Sequence, residues 1–139
     1  MKVYIAASLQ LLPYAKHLAE GLAGEGIEVA STWHGGEPTP AQERGMDPTE
    51  RTALAQQCFR EIDSADALVL LHGGPTERHG SFLETGYALG RGKVVRVFST
   101  GSHDMPTILL SGLPMAGVWD AYYCLGPQGI ARKLREAKP

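Results

Sequence analysis

The loop-like run HGGPTERHGSFLE, from His72 to Glu84, gathers chemistry-bearing residue types in this chain of 139 residues. The helical pattern that follows starts at Ser81, which puts Glu84 in the first turn of a helix. The helix dipole favours a charged carboxylate there, and an ionised carboxylate is a nucleophile. Ser81-Phe-Leu-Glu84 also spells a capping box, in which both side chains satisfy free N–H groups at a helix start. Only the nucleophile reading predicts that a well-folded Glu84→Gln variant loses activity. Just upstream, Arg78, His79 and Gly80 sit at the tip of a Gly-rich loop whose backbone N–H groups suit an anionic ligand.

Other chemistries find less support. GxxxxGK[ST] is absent, and Gly73-Gly74 followed by Gly80 does not match GxGxxG. His34, His72, His79 and His103 lack metal-ligand spacing, so neither a metal nor a cofactor is expected. Cys58 and Cys124 are far apart without a CxxC, which fits a reducing cytoplasm better than a disulfide framework. A net charge of −2, with no basic cluster interleaved with aromatics, argues against nucleic acid. No apolar run approaches the roughly 20 residues that cross a bilayer. The opening MKVYIAAS is too short in apolar residues for a signal peptide and reads as a strand.

The elements that must position Glu84 alternate strand and helix. Lys2 to Ala7 is a strand buried on both faces. A helix follows with Leu11, Ala15, Leu18 and Leu22 on one stripe, Pro13 in its first turn, and Gly24 and Gly26 as stops. Ile27 to Trp33 reads as strand two, and His34 to Pro48 as a long loop. Thr49 to Ser64 is a helix whose inward face is Leu54, Cys58, Phe59 and Ile62. Strand three (Ala67 to Leu71), the Ser81 helix and strand four (Lys93 to Phe98) come next. The chain closes with a short helix (Pro106 to Ser111), a fifth strand (Val118 to Tyr123) and a helix from Pro127 to Ala137.

This alternation predicts an α/β fold: a single domain over 1–139 with a doubly wound, five-stranded parallel sheet of order 2-1-3-4-5. Ligands in such sheets bind beyond the carboxyl ends of the strands where the winding reverses, here between strands one and three. The loop after strand one, with Ser8 and Gln10, would then face the His72–Ser81 loop. Trp33, at the end of strand two, would border the same crevice.

MKVYIAAS, the Ala65-Asp66 pair before an apolar strand, and above all GSFLETGYALGRGKVV resemble the nucleoside 2-deoxyribosyltransferase-like family. That family includes 2′-deoxynucleoside 5′-monophosphate N-glycosidases. The likeness runs from the first strand to about Phe98. It implies a flavodoxin-like fold and cleavage of an N-glycosidic bond in a small-molecule nucleoside or nucleotide. Glu84 would attack C1′ to give a covalent sugar–enzyme intermediate, resolved by water or by a second base. Tyr4 would lie beside Glu84. Ser8 would contact substrate, often at a 5′-phosphate, and Arg78, Gly80 and Ser81 would line the sugar's 5′ side. Thr107 matches a hydroxyl lent across a subunit interface, so a homo-oligomer (a dimer or larger) is implied. The region from Ser99 to Tyr123, with Trp119, Tyr122 and Tyr123, is a place for that interface.

Two positions depart from the family pattern. Cys58 stands eight residues before Asp66, where an aspartate that assists the departing base is expected. A thiol is a poor substitute in protonating a base. Asp63, Asp47, Glu43 and His79 are the alternatives for that task. Gln10 stands where the nucleotide glycosidases carry an arginine, leaving Arg78 to supply any charge for a phosphate. Two other functions stay open. One is a nucleotide phosphoribohydrolase of the lysine-decarboxylase-like group, whose PGGxGTxxE loop is faintly echoed by GGPTERHGSFLE. The other is a non-catalytic protein that binds or senses nucleotides.

Overall fold

A computed structural model describes residues 1–35, 45–73, 80–99 and 116–136, with backbone alone for 116–124. The elements are β1 (Lys2–Ala7), α1 (Leu12–Gly24), β2 (Glu28–Val29), α2 (Pro48–Ser64), β3 (Ala67–His72), α3 (Gly80–Gly90), β4 (Val94–Ser99), β5 (Ala116–Ala121) and α4 (Tyr122–Glu136). The strands form one sheet of order β2-β1-β3-β4-β5, and every pairing is parallel. The helix expected at Pro106 to Ser111 lies outside the described residues.

The sheet is apolar on both faces, as parallel strands under two layers of helices must be. On one face Val3, Ile5, Val69, Leu71 and Phe98 pack against Ala15, Leu18 and Leu22 of α1 and Ile130 and Leu134 of α4. On the other, Tyr4, Ala6, Leu68, Leu70, Val95 and Val97 meet Ile62 of α2 and Ala88 of α3, with Cys58, Phe59 and Phe82 packed alongside. Gly21 lets the first layer close. A Cβ there would lie 2.2 Å from Cβ of Pro127, so α1 and α4 approach only over a glycine. Gly126, at φ 56°, breaks α4 just before Pro127, where the sequence places the helix start.

The element boundaries differ from expectation at two places that matter for the site. The second strand was expected over Ile27 to Trp33, but the ladder with β1 covers only Glu28 and Val29. Side chains take over beyond it. The amide of Ile5 donates to Ser31 Oγ at 3.0 Å, and the Trp33 indole Nε1 donates to the Ile5 carbonyl at 2.7 Å. Since β1 finds its edge partners in these two side chains, the backbone of 31–33 is released to turn. Trp33 to Gly35 then forms a 3₁₀ turn.

The third helix begins at Gly80, one residue early, so Ser81 lies inside it and Glu84 falls beyond the first turn. The expected Ser81–Glu84 capping box is not formed: the Ser81 hydroxyl has no partner among the described residues, and Glu84 bonds to Tyr4. A capping box does form at α2. There the Asp47 side chain accepts from the Glu50 amide at 2.9 Å and Glu50 accepts from the Asp47 amide at 3.0 Å. Among the described residues no helix is long and apolar enough to cross a membrane.

Candidate active site

β1 and β3 pair in register from Val3↔Ala67 to Ala7↔Leu71, so Ser8 and His72 leave the sheet side by side at its carboxyl edge. The chain runs from β1 to β2 on one side and from β3 to β4 on the other, and α3 packs over β1, β3 and β4. This brings Glu84 down onto Tyr4. The Tyr4 hydroxyl donates to Glu84 Oε1 at 2.7 Å. Tyr4 is fully buried and Glu84 half-buried. Among the described residues the second carboxylate oxygen of Glu84 carries no hydrogen bond.

Burial dominates the electrostatics of this pair. It pushes the Glu84 carboxyl up from 4.5 to about 7; the Tyr4 hydrogen bond lowers it, and the charge on Glu61 raises it further. The sequence suggests instead a charge held by a helix dipole. That field fades within the first turn, and Glu84 stands past it, so desolvation wins. Burial likewise raises the Tyr4 phenol, with the neighbouring Glu84 charge adding to it, so Tyr4 remains a donor. The result is a carboxylate whose charge changes near neutrality, with one oxygen held and the other available.

Cys58 belongs to this group. Its half-buried thiol, on α2, packs against the apolar cluster that holds Tyr4 and lies in the field of Glu84. Burial raises the thiol, which keeps it neutral. The alternatives offered for the missing aspartate are placed elsewhere. Asp63 accepts from Arg91 Nε at 2.8 Å and from the Tyr87 hydroxyl at 3.0 Å, near the last turn of α2. Asp47 caps the other end of α2. Glu43 and His79 lie outside the described residues.

Glu61 was not anticipated. It lies one turn beyond Cys58 on α2 and accepts from the Thr32 hydroxyl at 2.6 Å, the Thr32 amide at 3.2 Å and Gln57 Nε2 at 3.0 Å. It ties α2 to the turn carrying Trp33, and its charge acts on Glu84, Cys58 and His34. The three-residue offset from Cys58 was the signal that could have found it. His34 is buried with Nε2 3.0 Å from Ser31 Oγ. The Ser31 oxygen thus meets both the Ile5 amide and the His34 ring. Burial lowers the pKa of the His34 ring and so favours its neutral form.

The remaining expected residues divide. Ser8 and Ser81 are buried, 5% and 3% exposed, and neither hydroxyl has a partner among the described residues. Gly80 opens α3 in open space, and Gln10 is exposed on the 3₁₀ turn over Leu9–Leu11. Trp33 is half-buried with its indole N–H spent on Ile5, so any ligand contact would use the ring. Arg78, His79 and Thr107 lie outside the described residues. So do the side chains of Trp119, Tyr122 and Tyr123.

Comparison with solved structures bears on this arrangement. A CMP N-glycosidase, BcmB, from Clostridium botulinum superimposes with a TM-score of 0.64 at 17% identity, covering 97% of this chain and 99% of that one. A 2-deoxyribosyltransferase from Bacillus psychrosaccharolyticus gives 0.61 at 18%, covering 86% and 85%. The fold is that of the nucleoside 2-deoxyribosyltransferase-like proteins. A conserved protein from Enterococcus faecalis shares it, at a TM-score of 0.59 and 20% identity over 98% of both chains. No family model and no curated protein sequence matches the chain. The deoxyribosyltransferase-like fold is therefore shared at low identity, and the chemistry must be argued from the side chains.

Proposed function

We propose that this protein cleaves the N-glycosidic bond of a (deoxy)nucleoside or its 5′-monophosphate through a covalent sugar–Glu84 intermediate. The observation that carries the reading is the 2.7 Å hydrogen bond from Tyr4 to Glu84 Oε1, with the other oxygen unengaged among the described residues. That oxygen attacks C1′ as the base departs. The held oxygen keeps the carboxylate oriented, and burial strips it of the water that would blunt its nucleophilicity. Water at C1′ then gives hydrolysis and a second base gives transfer. The solved enzymes of this fold, one an N-glycosidase and one a deoxyribosyltransferase by name, support the reaction class.

Ser8 and Ser81 support a polar ligand. Buried polar groups in native proteins are hydrogen-bonded almost without exception, and an unpartnered hydroxyl is costly to keep. Two such hydroxyls, one after β1 and one a turn before Glu84, suit the sugar or its 5′ substituent. The same reading takes 1–139 as one catalytic domain, working in the cytoplasm as a homo-oligomer.

The test is a panel of nucleosides, deoxynucleosides and their monophosphates, followed by chromatography for free base. Release of base from at least one member is expected. Addition of a second base separates transfer from hydrolysis. Binding without release from any member would overturn the enzymatic reading in favour of a sensor.

A further inference from the structure

We infer that Glu61 is a positioning residue: by gripping Thr32 from α2 it fixes the turn that sets the Trp33 ring as a wall of the substrate crevice, and so governs how tightly substrate is held. This rests on Glu84 being the reacting group, and extends that reading to the turn after β2.

The argument is one of hydrogen-bond counting. Glu61 Oε1 accepts from the Thr32 hydroxyl at 2.6 Å and from Gln57 Nε2 at 3.0 Å, and Oε2 accepts from the Thr32 amide at 3.2 Å. Gln57 Nε2 also donates to the Thr32 hydroxyl oxygen at 2.8 Å. The one hydroxyl proton of Thr32 goes to Glu61 while its oxygen takes a proton from Gln57, so donors and acceptors match around the triangle. Completing it takes a group that accepts at both ends. A glutamine at 61 has a single acceptor oxygen and would turn an N–H against one of these donors. The carboxylate also carries a cost, because its charge raises the pKa of Glu84 and opposes the ionised nucleophile. What it offers in return is its hold on the turn.

That turn is anchored on two sides. Ser31 Oγ accepts from the Ile5 amide and the Trp33 indole donates to the Ile5 carbonyl, which ties it to β1. Thr32, between them, ties it to α2 through Glu61 and Gln57. The ladder of β2 with β1 ends at Val29, and the Trp33 ring lies beyond it, half-buried and packed against both apolar layers, one of which contains Tyr4. Thr32 and Gln57 are exposed, and exposed polar contacts add little to global stability. Loosening this clamp should therefore be felt at the ligand more than in the fold.

The experiment measures kcat and KM at about pH 8.5, where Glu84 is ionised, on whichever nucleoside releases base. Exchange of the Trp33 indole proton is followed in parallel by nitrogen-15 NMR, its signal assigned against Trp33→Leu. Thr32→Val and the isosteric Glu61→Gln should each raise KM about 5-fold with kcat within about 2-fold, and speed the indole exchange about 5-fold, as loss of roughly one hydrogen bond would give. Thr32→Ser keeps the hydroxyl and should restore wild-type KM. In a Trp33→Leu background Thr32→Val should raise KM no further, since the clamp acts through that ring. Unmoved indole exchange in Thr32→Val and Glu61→Gln, a fall in kcat at unchanged KM, or the same KM rise in the Trp33→Leu background would overturn the proposal. The exchange is read without turnover. Absent base release with the exchange differences intact would therefore overturn the enzymatic reading and leave the clamp standing.

Discussion

The Tyr4 hydroxyl and the Glu84 carboxylate, 80 residues apart in sequence, are joined by a 2.7 Å hydrogen bond beneath α3. Everything near them is arranged around the cost of burying that carboxylate. Its pKa of about 7 makes the ionised, nucleophilic form only half populated at neutrality. Activity is therefore expected to climb with pH through about 7 and level off above it, and a pH series of kcat/KM checks this.

The same shift appears in stability with a defined sign. Between 4.5 and about 7 the folded state holds the Glu84 proton that the unfolded state has lost. Stability should therefore fall as pH rises across that window and be unaffected by this group beyond it. Urea unfolding at several pH values, with Glu84→Gln as the flat reference, isolates the contribution.

Tyr4→Phe removes the one hydrogen bond that lowers the Glu84 pKa. A hydrogen bond to a charged group is worth about 1.5–3 kcal/mol, so the acid limb should move up by roughly one to two units. The loss in kcat/KM should be about tenfold or more at pH 6 and much smaller at pH 9. A uniform loss at all pH values would mean that Tyr4 acts otherwise than through Glu84.

Ser8→Ala and Ser81→Ala separate binding from folding. Their hydroxyls have no partner among the described residues, so truncation should leave the melting temperature unchanged or raise it. If the hydroxyls serve a ligand, KM should rise about 5- to 10-fold, the value of roughly one hydrogen bond. A clear drop in melting temperature would mean that they already serve the fold.

Ser31→Ala should show the reverse pattern. It orphans the Ile5 amide and His34 Nε2 together, and a buried unsatisfied group costs about 1–3 kcal/mol. Chemical denaturation should register that loss, and kcat/KM should fall as Trp33 loses its fixed turn.

How much of this could be read beforehand depends on the kind of interaction. The buried strands at Lys2–Ala7 and Ala67–His72 and the amphipathic stripe of Ala15, Leu18 and Leu22 are local patterns, and they emerged close to where expected. The pairing of Tyr4 with Glu84 came from a family resemblance; periodicity alone offers no such contact. Missed were the features that depend on competition between local and long-range partners. The Ser31 and Trp33 side chains outbid the backbone for Ile5 and shortened β2. A one-residue earlier helix start dissolved the Ser81–Glu84 capping box and moved Glu84 away from the dipole. Glu61 was missed because its partner Thr32 lies 29 residues away, and the three-residue offset from Cys58 was its one local signal.

The central claim is that Glu84 itself bonds to the sugar. Mass spectrometry after incubation with a 2′-fluoro-arabinosyl nucleoside, whose fluorine slows resolution of the intermediate, tests it directly. A sugar-sized mass gain on the peptide containing Glu84, absent in a folded Glu84→Gln that has lost at least about 10³-fold in activity, is the expected result. Base release by the wild type with the adduct on another residue, or full turnover by Glu84→Gln, would contradict it.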